Sequence, residues 1–64
     1  MINASQTFKV GDKVKGLYKD APFVGVIDFY DGGFCIKLSE PCDLGFRVET
    51  DGIFIRTHAE LSHA

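Results

Sequence analysis

Four side chains in this sequence carry the thiol or imidazole donors that zinc prefers: Cys35, Cys42, His58 and His63. Structural zinc takes thiolate and imidazole donors, but it wants them in close pairs of the Cys-x-x-Cys kind. The two cysteines lack that spacing, so no metal site is expected, and no bound cofactor. Paired cysteines would suggest a disulfide in a secreted miniature protein, yet nothing in the sequence marks secretion. Cys35 therefore reads as a small filler within a strand, and Cys42 as a loop thiol. His58 and His63 flank Glu60 in a short polar tail. Acid–base work needs a partner within hydrogen-bond reach and a pocket that holds it, so both imidazoles are expected to face solvent. No serine sits in a Gly-x-Ser-x-Gly elbow, and no glycine-rich loop leads into a helix to cradle phosphate. Asp28 and Asp31 read as turn and solubility residues. No catalytic residue is expected, and a binding protein fits this inventory better than an enzyme.

The aromatic side chains are more telling. Six Phe and two Tyr crowd into 64 residues with no Trp. Phe23, Phe34 and Phe46 fit an inward face, and a core this small holds only a few rings. Tyr18, Phe29, Tyr30 and Phe54 cannot all join them. Tyr18, Tyr30 and Phe54 are expected to form a contact patch, with Lys13, Lys15 and Arg56 supplying charge at its rim. Such rings serve a ligand, a second copy of the chain, or simply the ends of the core. Four lysines (Lys9, Lys13, Lys15 and Lys19) precede Asp20 against the single acid Asp12, while from Asp20 onward there are eight acids against Lys37, Arg47 and Arg56. The net charge of −2 speaks against a dedicated nucleic-acid binder, although lysines gathered on one face would form a modest basic patch.

The elements that must position these groups are short strands. Phe8 to Tyr18 alternates apolar and charged residues through Val14, the period of a half-buried strand. Phe23 to Tyr30 is a β-branched and aromatic run with Gly25 inside it, and a glycine there marks a bulge, a bend or a close approach. A bend at Gly25 is expected. Asp31-Gly32-Gly33 supplies a tight turn before Phe34 to Leu38, and residues 39–45 read as loop. Phe46 to Thr50 and Ile53 to Arg56 are the remaining strands, joined by the hairpin signal Asp51-Gly52. Thr57 and Glu60 have capping-box spacing, so a single helical turn is expected there, followed by Leu61 as a last core residue. Residues 1–7 are weakly patterned and read as a flexible segment before one domain over residues 8–64.

Short strands between turn signals, with no long helix, indicate an all-β fold: a small five-stranded SH3-like barrel. Hydrophobic content of 45% with 25% charged residues suits a globular chain, and no apolar run reaches the length of a membrane span. The opening residues lack the pattern of a signal peptide, so a cytoplasmic protein is expected.

Gly11-Asp12-Lys13-Val14-Lys15, then Ala21-Pro22-Phe23-Val24-Gly25-Val26-Ile27 and Tyr30, resembles the SH3-like barrel of the plasmid-encoded type II dihydrofolate reductases. The same opening is similar to KOW and Tudor-type modules. The resemblance covers about Phe8 to Ile36, with an echo in Ile53 to Leu61. It implies a barrel fold; a Gly-Asp-basic-Val opening occurs in many unrelated barrels. In the reductases a Val-Gln-Ile-Tyr segment lines a pore made by four chains, whereas Ile53-Phe54-Ile55-Arg56 stands here. A phenyl ring cannot donate and accept as the glutamine amide does. The surplus rings argue for a self-associating, non-enzymatic interaction module, and the resemblance supplies the alternatives, a KOW-like nucleic-acid binder and a pore-type reductase.

Overall fold

Alternating side chains and closely spaced turns give a chain built from strands. The computed structural model describes residues 8–56 and 61–64. The flexible segment expected over residues 1–7 and the helical turn expected over residues 57–60, His58 included, lie outside the described residues. Seven strands follow in order: β1 (Lys13–Tyr18), β2 (Ala21–Tyr30), β3 (Phe34–Leu38), β4 (Cys42–Asp43), β5 (Val48–Glu49), β6 (Gly52–Ile55) and β7 (Leu61–His63). Five form one antiparallel sheet in the order β6-β3-β2-β1-β7, and β4 and β5 pair separately. Among the described residues there is no helix, hence none long and apolar enough to cross a membrane.

β2 holds this sheet together because it is shared. Residues 21–26 pair with β1 and residues 25–30 with β3. Gly25 lies in the overlap and is buried. A Cβ there would stand 2.4 Å from the Lys37 carbonyl oxygen and 2.8 Å from Ile36 Cγ2. The glycine is therefore a point of close approach between β2 and β3. The break in register falls instead between Ile27 and Phe29, where Asp28 bulges out of the ladder. Pro22 is accommodated inside β2 because β3 reaches back only as far as Gly25.

One face of the sheet is the core. Ile27, Ile36 and Ile53 sit opposite one another on β2, β3 and β6, and Val14, Phe23, Ile55 and Leu61 complete the apolar layer. Gly16 lies between Phe23 and Leu61 in register. Each fully buried aliphatic side chain contributes about 1.5–3 kcal/mol.

Three expectations are corrected. Asp51-Gly52 is not a hairpin turn: β5 pairs with β4 and β6 with β3, and the Asp51 carbonyl accepts the Leu38 N–H at 3.0 Å. Tertiary pairing, led by burial of Ile53 and Ile55, overrides the local signal. The expected inward strand around Phe46 shrinks to Val48–Glu49. Phe46 lies in the β4–β5 turn, closed by Leu44 N–H to the Arg47 carbonyl, and is 75% exposed. Cys42 is no loop thiol but a fully buried residue of β4, its Sγ lying 3.5 Å from the Pro22 carbonyl oxygen. The sheet's fifth strand is β7, which pairs with β1 through Gly16 and Leu61.

The β1–β2 connection is a two-residue turn with φ of 51° at Lys19 and 67° at Asp20. Positive φ at both central positions suits the twist of a hairpin.

Candidate functional site

The bulge at Asp28 decides which aromatic rings face outward. Without it, strand parity would carry Phe29 inward beside Ile27 and turn Tyr30 outward. With it, Phe29 stands opposite Cys35, and Cys35 opposite Phe54, in one row across β2, β3 and β6 on the face away from the core. Phe29 is 50% exposed and Phe54 43%, and Cys35 between them is partly covered. These rings line an open groove of about 770 Å³ that also takes in Tyr18, Asp28, Lys37 and Asp51. Arg47 and Glu49 form an ion pair at its wall.

A second cavity of about 410 Å³ is lined by Leu17, Tyr18, Lys19, Phe54 and Arg56. β1 and β6 are not neighbours in the sheet order, yet the end of β1 and β6 both contribute to this lining. Lys19 Nζ lies 5.6 Å from the centroid of the Tyr18 ring, a cation–π contact. Gly33 makes room for the Phe54 ring: a Cβ there would come within 2.4 Å of it.

Of the residues expected to form the patch, Tyr18, Phe54 and Arg56 do come together. Tyr30 does not. It packs edge-on against Phe34 at 5.1 Å, and Phe34 in turn meets Phe8 at 6.1 Å. Lys13 and Lys15 also stand apart, on the outer face of β1 opposite Val26 and Val24. Lys15 lines a separate groove of about 500 Å³ with Glu40 and Asp43. Phe29 takes the place expected of Tyr30. The swap follows from the extra residue between Ile27 and Phe29, which alternation alone does not reveal.

At the start of the described chain, the Lys9 N–H donates to Asp12 Oδ2 at 3.1 Å, and His63 Nε2 lies 3.2 Å from the same oxygen. The Lys9 amide holds the Asp12 carboxyl below its ordinary range; partial desolvation opposes this and His63 reinforces it. His63 is exposed, as expected, but it belongs to β7 and stacks on Phe8 at 4.5 Å. Burial, aided by Glu49 and Asp43, pushes the Cys42 thiol above its usual range, which makes it a poor nucleophile. No group of three or more metal-ligating side chains converges among the described residues.

Comparison with known protein families, with curated proteins and with solved structures finds no match for this chain.

Proposed function

We propose that this chain is a non-enzymatic interaction module: a small curled barrel of the SH3-like kind that self-associates through the groove lined by Phe29, Phe54 and Tyr18. The observation carrying this reading is the exposed row Phe29–Cys35–Phe54, aromatic area that a folded monomer leaves in water. The barrel reading is supported by the strand order, in which β7 returns beside β1, and by the cavity that the end of β1 and β6 line together. A core of this size rarely supplies more than about 3–5 kcal/mol, so covering these rings with a second copy supplements it.

Sedimentation equilibrium over a wide concentration range tests the reading. The wild-type chain forms dimers or larger species, and the variant Phe29→Ser/Phe54→Ser remains monomeric with its strand content intact. A wild-type chain that stays monomeric at millimolar concentration overturns it.

A second reading, nucleic-acid binding, draws on one observation: Lys13, Lys15 and Lys37 all project from the outer face of the sheet. Three phosphate contacts would give a slope of about −2.7 in log affinity against log salt on a duplex. Affinity independent of salt removes this reading.

A further inference from the structure

The two cavities that share Tyr18 and Phe54 carry opposite charge. Asp28 and Asp51 lie in the larger one, and neither has an ion-pair partner among the described residues. Lys19 and Arg56 lie in the smaller one, equally without a carboxylate partner among the described residues. Among the described residues, Lys37 is the cation on the acidic side without an ion-pair partner, since Arg47 is engaged by Glu49. The rings thus separate an acidic lip from a basic lip. A surface with acid on one side of an apolar centre and base on the other is complementary to itself after a half-turn, the condition a twofold interface must meet.

We infer that the self-association proposed above is an isologous dimer about a twofold axis near Phe54, with Lys19 and Arg56 of each copy facing Asp28 and Asp51 of the other. The apolar rows supply the buried area. The charges set the orientation, because a copy docked in any other rotation would bring like charges together. A basic partner or an acidic partner alone would satisfy only one lip.

This inference rests on the self-association reading, and a charge-swap experiment separates the two. Variant A is Lys19→Glu/Arg56→Glu, with acid at both lips. Variant B is Asp28→Lys/Asp51→Lys, with base at both. All four positions are turn or outer-face sites away from the core, and thermal melts of each variant check that it folds. In sedimentation at low salt, A alone and B alone each dimerise at least about tenfold more weakly than wild type, and an equimolar mixture recovers a heterodimer within about threefold of wild-type affinity. If wild type associates while A and B associate equally well, or if the mixture fails to recombine, the twofold arrangement is wrong and the self-association reading survives. If wild type is monomeric throughout, both fall. A gain of association by B on adding an acidic peptide, with none in the mixture, assigns the groove to a different partner and also overturns the inference.

Discussion

Replacing Asp20 by glycine should stabilise the protein. Lys19 and Asp20 both hold positive φ in the two-residue turn between β1 and β2. The left-handed region costs an L-residue about 1–2 kcal/mol, with aspartate toward the low end because its short side chain bonds locally. Glycine removes that cost but loses about 0.5–1 kcal/mol of extra chain entropy on folding. The difference favours Asp20→Gly by up to about 0.5 kcal/mol. For a domain of this size 1 kcal/mol moves Tm by about 4–8 °C, so a rise of up to about 4 °C is expected. Asp20→Val should do the opposite and by more, since a β-branched residue is a true outlier at positive φ. The assay is a pair of thermal and urea melts at a concentration where wild type is monomeric, with the m-value checked for constancy. A glycine variant that melts at or below wild type, or a valine variant that melts level with it, would refute the argument that this turn stores backbone strain.

Other consequences can be measured on the same chain. Deleting Asp28 should restore unbroken alternation in β2, drawing Phe29 toward the core and separating Tyr30 from Phe34; nuclear Overhauser contacts between those two rings would vanish, and their persistence would deny the bulge its role. The depressed pKa of Asp12 stabilises the fold above the unfolded carboxylate value of about 3.9 and is lost as pH falls through the lower folded value. Wild type should therefore lose more stability between pH 5 and acid conditions than Asp12→Asn, a difference that acid titrations followed by circular dichroism would reveal. Thiol labelling of the native protein should modify Cys35 first and reach Cys42 only in denaturant, because Cys42 is fully buried and its thiol is harder to ionise. Equal rates would contradict that placement.

The legible parts of the fold were those where local pattern and tertiary pairing agree. Alternation around Val14, Ile27 and Ile36 marks β1, β2 and β3, and Leu61 does return to the core. Gly25 was recognisable as special, but no local signal separates a bend from a close approach; that depends on the Lys37 carbonyl lying opposite. Asp51-Gly52 misleads because a hairpin signal specifies a turn and not which strands pair across it. In the site, Tyr18, Phe54 and Arg56 were identifiable as rings and charge beyond what the core could hold. Phe29 was not, because a single unpaired residue at position 28 reverses the parity of everything after it in β2. Phe46 shows the limit of apolar type as a guide: it sits in a turn where Gly45 adopts φ of 95°, and the ring is left 75% exposed among the described residues.

The position of β7 beside β1 bears on how the chain folds and how it should be handled. The β1–β2–β3 meander joins residues close in sequence and can form early, whereas Gly16 meets Leu61 across a long stretch of sequence and pairs late. Until then the outer side of β1 is a row of free amides and carbonyls open to any extended segment. Removing the last four residues would make that exposure permanent. Such a truncated chain is expected to exchange strands or precipitate even though most of its apolar layer is intact.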